Sequence, residues 1–347
     1  MAVLRSPHNP IITPEAVTPS RPDFEVICAF NTGVARYNEE ILLLLRVAER
    51  PVSSDDQICI VPIYDVNTKQ FVLKEFDKHD PAYNFSDPRG VIGASATYLT
   101  SISYLRLARS RDGIHFAIEE QPALFPATVY ETYGIEDPRI TRIEDTYYIN
   151  YSAVSPHGVV TSLASTKDFV SFKRHGVIFP PDNKDVTIFP ERIQGRYYAL
   201  HRPSTSALAK PEIWIADSSD LLYWGNHRHL MGLRRNSWDS GRIGGSAVPF
   251  RIDQGWLEVY HGADENKRYC LGAVLLDKDE PWKVIARSQQ PILEPEADYE
   301  LKGFFGNVVF SCGALYEGDM VKIYYGASDT STAYAEIPLD DILNGLK

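Results

Sequence analysis

The feature that most restricts the fold of this chain is a short pattern that returns five times. "RIEDTYYINYS" (142–152), "RIQGRYYALHR" (192–202), "RIDQGWLEVYHG" (251–262) and "LYEGDMVKIYYG" (315–326) each run from a polar turn with Gly or Asp into an aromatic-rich strand. "RYNEEILLLLRV" (36–47) is a fifth version. Each strand ends on a polar or basic residue or on glycine. Another extended segment precedes each turn: "FNTGVA", "EDPRIT", "KDVTIFPE", "GRIGGSAVPF" and "FGNVVFSCGA". Several copies continue into a third strand, and an S-x-D-x-x-x-[FW] pattern recurs there, as in "LARSRDGIHF".

Reuse of one hairpin at a regular spacing marks an antiparallel sheet repeated radially, and five units of roughly 50–65 residues account for most of the chain. The expectation is an all-β fold, a single five-bladed β-propeller domain with blades over roughly 22–340 and a short C-terminal helix over about 338–347. About 100 residues separate the first two copies, which leaves room for an insertion around 76–98, read as a loop near the site. A pair of β-sandwiches is the competing architecture, but sandwiches rarely repeat one hairpin five times.

Composition narrows the partners. The net charge of -11 argues against nucleic acid or an anionic membrane as the main partner, so a local basic cluster would be informative. The four cysteines (Cys28, Cys59, Cys270, Cys312) are scattered without metal-ligand spacing and read as reduced thiols, which favours a reducing compartment. With no apolar leader-like stretch and no long apolar run, a cytoplasmic protein with no membrane span is expected.

In a propeller, polar residues at the start of an inner strand or the end of the next converge on one mouth. The positions so selected are Asn31 and Arg46; Asp137 and Arg139; Lys184, Asp185, His201 and Arg202; Arg242 and His261; and Asn307 and Asp329. Taken singly, an Arg or His at a strand end is usually a surface or structural group, and Asp137 before Pro138 is a ready turn residue. Recurrence changes this: Arg46, Arg202 and His261 end equivalent strands in different repeats. A pocket lined by carboxylates, amides and cations suits a polyhydroxylated ligand together with an anion. A metal centre is not expected, because His201 and His261 lack ligand spacing.

"YGIEDPRIT", "DVTIFPERIQGRYYALHRP", "WDSGRIGG", "GWLEVYHGAD" and "KIYYGASDT" resemble glycoside hydrolase family 130, from about Asn31 to the C-terminus. That family contains five-bladed β-propeller mannoside phosphorylases and some β-mannosidases. "WDSGRIGG" and "RYCLGAVLLD" are most similar to the branch acting on β-1,2-linked manno-oligosaccharides. The resemblance implies inverting phosphorolysis to α-mannose 1-phosphate, with Asp137 as the single catalytic carboxylate, protonating through the 3-hydroxyl of the bound mannose. It implies Arg46, Lys184, Arg202, His261 and Tyr269 as phosphate ligands and Asn31 and Asp329 as mannose ligands. Glu136, Arg139, Asp185, His201 and Arg242 complete the expected substrate set. Inorganic phosphate is a co-substrate, no other cofactor is implied, and self-association is left open.

A working acid needs a raised pKa; Glu136 beside Asp137 would help by like-charge repulsion and Arg139 would oppose it. The alternatives are a β-1,2-mannosidase using water, for which Glu191 and Glu258 are the available bases, and a non-catalytic carbohydrate-binding propeller. A protein-interaction propeller is disfavoured by the charged mouth. Acceptor choice is expected to depend on the segments 76–98 and 204–210.

Overall fold

The structure, a computed structural model, describes residues 2–204 and 208–347. Residues 205–207, within the second segment expected to tune acceptor choice, lie outside the described residues.

The chain lays down five successive groups of antiparallel strands. The first contains Phe24–Tyr37, Glu40–Pro51, Ile102–Ser110 and Ala117–Leu124. The second contains Gly134–Ile143, Thr146–Ser155, Gly158–Thr166 and Lys173–Phe179. A parallel bridge from Gly134 to Ser103 joins these two groups into one eight-stranded sheet. The third runs from Asn183–Ile188 through Tyr197–Pro203 and Ile213–Ser218 to Trp224–Met231. Arg242–Gly245, Gly255–Ala263, Tyr269–Leu276 and Val284–Arg287 form the fourth, with Phe250–Ile252 added beside its second strand. The fifth holds Val309–Glu317, Met320–Ala327 and Ser331–Pro338, and the N-terminal strand Leu4–Arg5 pairs onto its last strand.

Two local devices make the groups alike. Two-residue turns join the first strands of most groups, and Asn38, Glu144, Gln194 and Asp319 sit in them with φ between 50° and 61°. Left-handed backbone there matches the twist of the strands it connects. Further along, one carboxylate side chain closes a tight turn. Asp112 accepts the amides of Ile114 and His115, Asp168 those of Val170 and Ser171, and Asp220 those of Leu222 and Tyr223. This is the physical content of the recurring S-x-D pattern.

Alternation along each strand buries one face against each neighbouring group. The larger apolar clusters fall between groups one and two (Leu44, Ile149), two and three (Leu163, Ile188), and three and four (Phe189, Trp256). Two more lie between four and five (Val259, Ile323) and between five and one (Tyr324, Leu43). The packing therefore runs in a cycle, and the first group meets the last. Each buried aliphatic side chain contributes roughly 1.5–3 kcal/mol, so these interfaces hold the groups in place.

The stretch expected to be a loop around 76–98 is more ordered than that. A hairpin of Ile58–Asp65 and Gln70–Asp77 precedes a small sheet of Tyr83–Asn84, Gly90–Gly93 and Thr97–Leu99. Phe76, Tyr83, Tyr98, Val61 and Val91 form its own apolar cluster, which explains why it is built and not open. A helix of Leu339–Asn344 follows the last strand.

Candidate active site

Three inner strands carry the same irregularity. Opposite a single partner residue, Asn31-Thr32, Asp137-Pro138 and Asp185-Val186 each insert two residues between ladder pairs. Asn31, Asp137 and Asp185 take φ of 43°, 51° and 55°. A bulge of this kind redirects one side chain out of the strand's alternation. Asn and Asp tolerate left-handed backbone better than other side chains. All three side chains turn into one cavity of about 370 Å³.

At its centre, Arg46 Nη1 donates to Asp137 Oδ1 at 2.9 Å and Nη2 to Glu136 Oε1 at 2.8 Å. Arg46 Nε donates to Ser103 Oγ at 3.1 Å, and the guanidinium lies 4.7 Å from the centre of the Phe30 ring. Asn31 Nδ2 gives Asp137 Oδ1 a second donor at 3.0 Å. The other oxygen of Glu136 faces Lys184 Nζ at 3.6 Å. One carboxylate thus ties two cations, Arg46 and Lys184, beside Asp137.

The cationic wall continues from the third and fourth groups. Arg202 Nε donates to Asp185 Oδ2 at 2.6 Å, and His261 Nε2 lies 3.4 Å from the same oxygen. Gly244 faces them; a Cβ there would come within 2.5 Å of both Asp185 and His261, so only glycine leaves room. Tyr269 stacks on His261, and Arg242 sits exposed at the rim, 5.9 Å from the Tyr269 ring centre. Asp329 enters from the turn after Met320–Ala327.

Protonation states follow from these neighbours. Asp137 is held below the usual carboxylate range: burial pushes it up, but Arg46, then Arg139 and Lys184, pull it down further. The expected upward shift is therefore corrected, because the pull of Arg46, Arg139 and Lys184 outweighs burial. Asp329 is the carboxyl with a raised value, pushed up to about 6 by burial, with Arg46 and Arg89 opposing. Burial pushes His261 down to about 3, so it is a neutral donor and not one of the cations. Tyr269 is pushed upward by burial and keeps its proton.

Of the residues selected from sequence, Asn31, Arg46, Glu136, Asp137, Lys184, Asp185, Arg202, Arg242, His261, Tyr269 and Asp329 all reach this cavity. Arg139 does not. It is 1 % exposed, and its nitrogens donate to the carbonyls of Asp137, Gly245 and Ser246 and to Asp185, which makes it a bolt beneath the floor. His201 also lies outside, stacked on Phe179, with its ring nitrogens against Asn183 and His227. Strand alternation explains this, because its neighbour Arg202 takes the cavity face. Asn307 is exposed and outside the lining.

The lining also includes residues that sequence reasoning missed. Phe30 and Phe310 supply aromatic surface, and Arg89, Ile92 and Leu99 come from the inserted small sheet. Arg89 is forked onto Asp87 (2.9 and 2.8 Å) and stacked 4.2 Å from the Phe305 ring centre. A signal existed: Asp-Pro-Arg occurs at 87–89 as well as at 137–139.

Comparison with known proteins gives the family. The family 130 model described as beta-1,4-mannooligosaccharide phosphorylase matches residues 88–347. A beta-1,2-mannobiose phosphorylase from Listeria innocua is 52% identical over 351 residues, covering 100% of this chain and 99% of the relative. A 1,2-beta-oligomannan phosphorylase from a Thermoanaerobacter species is 41% identical, over 72% of this chain and 84% of its own length. The solved structure of the Listeria innocua enzyme with beta-1,2-mannobiose superposes with a TM-score of 0.98 over 99% of each chain. A glycosyl hydrolase from Bacteroides ovatus shares the fold at a TM-score of 0.74 and 21% identity, over 98% of this chain and 94% of that one. The chain belongs to glycoside hydrolase family 130.

Proposed function

We propose that this protein is an inverting β-mannoside phosphorylase acting on β-1,2-linked manno-oligosaccharides, with its five strand groups arranged as the blades of a propeller around the cavity. The cyclic packing of the groups supports that arrangement. In the reaction, the mannosyl C1–O bond breaks, a phosphate oxygen bonds to C1 from the opposite face, and the departing sugar oxygen gains a proton. Asp137 supplies that proton, relayed through the 3-hydroxyl of the mannose. Asn31 and Asp329 hold the mannose, because amide and carboxyl groups can satisfy hydroxyls that both donate and accept. Lys184 and Arg202, with the neutral donors His261 and Tyr269, receive the phosphate together with Arg46.

The observation that carries this reading over hydrolysis is where the two spare acids lie. A hydrolase needs a second carboxylate as base for water. Glu258 is 0 % exposed beneath the cavity, accepts from Ser246 N at 3.2 Å, and is pushed well above the usual range by burial. A buried, protonated acid is no base. Glu191 is on the surface, paired with Arg251 at 2.5 Å. Phosphate arrives with its own negative charge and needs neither.

The test is to incubate the protein with β-1,2-mannobiose, with and without phosphate. Mannose 1-phosphate should form only in its presence; equal release of free mannose without phosphate would establish the hydrolase instead. A parallel panel of β-1,3- and β-1,4-mannosides checks the linkage. The reading requires no metal or organic cofactor.

A further inference from the structure

The resting arrangement leaves the proposed acid in the wrong protonation state: Asp137 is ionised because Arg46 holds it. The same guanidinium is committed twice, to Asp137 through Nη1 and to Glu136 through Nη2. The nucleophile and the acid must act across one sugar carbon, so the phosphate has to sit within a sugar ring's width of Asp137. The cations available there are Arg46 and Lys184, already tied together by Glu136.

We propose that phosphate binding and protonation of Asp137 are one coupled event, switched by Arg46. The incoming anion competes with the Asp137 carboxylate for Arg46 Nη1. When Arg46 turns to phosphate, Asp137 loses its main counter-charge and gains an anionic neighbour, and it takes a proton from solution. The bond balance is simple: one O–H bond forms on Asp137, and one is lost from hydronium or a buffer acid in solution. The acid is thereby armed only when the nucleophile is in place. This inference rests on the phosphorylase reading above.

The other groups around Asp137 do not remove the competition. Asn31 of the first group is neutral and donates whatever the charge. Arg139, on the same strand, is pinned to backbone carbonyls and cannot follow the phosphate. Lys184, from the third group, faces Glu136. Cys312, from the fifth group, is a buried thiol held protonated. Asp329, with Arg89 of the insertion near it, is another carboxyl of the cavity, and burial pushes it up to about 6. It is therefore the rival proton acceptor.

The experiment is calorimetric titration with inorganic phosphate between pH 5.5 and 8, in buffers of differing ionisation heat, for wild type, Asp137→Asn and Asp329→Asn. Wild type should take up more protons per phosphate than Asp137→Asn, the difference approaching about one. Asp137→Asn should also bind phosphate about ten-fold more tightly, since no carboxylate competes. Asp329→Asn should keep the wild-type uptake. Equal uptake in wild type and Asp137→Asn overturns the coupling, as does loss of uptake in Asp329→Asn alone. If wild type fails to bind phosphate at all, the phosphorylase reading falls with it; binding without extra proton uptake sinks only the coupling.

Discussion

Asp137 and Asp185 occupy the same place in neighbouring groups of strands. Both sit at a two-residue bulge, both take left-handed backbone, and both are buried in the same cavity wall. Their partners differ. Asp185 is surrounded by Arg202, His261 and Arg139, the last pinned in place by backbone carbonyls; burial pushes its value up, but these partners hold it far below the carboxylate range. Asp137 depends on Arg46, which it shares with Glu136. Asp185 keeps the pinned Arg139 whatever Arg202 and His261 bind; Asp137 is held by an Arg46 that an arriving anion can take away. The same backbone device thus yields a structural carboxylate or a reactive one, according to whether a cation beside its side chain is pinned in place.

The comparison can be broken most sharply at Asp137. Asp137→Asn should lower turnover by roughly 10²–10⁴-fold in both directions, the usual weight of a general acid. Its melting temperature should stay close to wild type, because Arg46 keeps Glu136. Near-normal turnover would end the assignment. Asp185→Asn should do the reverse: strand the buried Arg139 and Arg202 and cost about 3–5 kcal/mol of stability, read by denaturant titration. An unchanged unfolding midpoint would show that Asp185 is not the anchor.

A smaller effect separates Asp329 from both. Its folded value of about 6 lies above an unfolded value of about 3.9, so its contribution to stability is present at low pH and lost as pH rises through 6. Asp329→Asn cannot ionise, and should gain on wild type by ~1–2 kcal/mol above pH 6 after allowing for partial exposure, with no gain below pH 4. Melting curves across that range check the sign. Smallest of all should be Glu258→Gln, below about 1 kcal/mol in stability and within a few-fold in activity, because the buried group is already neutral. A collapse of activity there would revive Glu258 as a base.

Much of the site was legible from sequence because it obeys recurrence. Arg46, Arg202 and His261 do stand at matching ladder positions, opposite Phe30, Lys184 and Gly244. What was illegible depends on partners distant in the chain. Nothing near Arg139 announces that the carbonyls of Gly245 and Ser246, more than a hundred residues on, will take its donors. Lying in the same motif as Asp137 made it look like a ligand. His201 was avoidable, since a strand that sends Arg202 inward sends its neighbour the other way. The direction of the Asp137 shift was not readable at all, because it turns on a contact between residues 91 positions apart. Likewise, the insertion's place near the site followed from the widened spacing, whereas its strands and Arg89 needed the fold.

The bridge between Gly134 and Ser103 bears on how the site moves. Gly134 has φ of 114°, and a Cβ there would press to within 2.6 Å of the Ser103 backbone, so this seam closes only with glycine. Ser103 also receives Arg46 Nε. Arg46 and Asp137 therefore ride on a single hydrogen-bonded sheet, while Lys184, Arg202 and His261 ride on two others. A shift of one sheet against another would change the width between the walls but carry the acid and its guanidinium together. The width of the cavity and the charge of the acid are thereby separable in this fold: the first is set between sheets, the second within one.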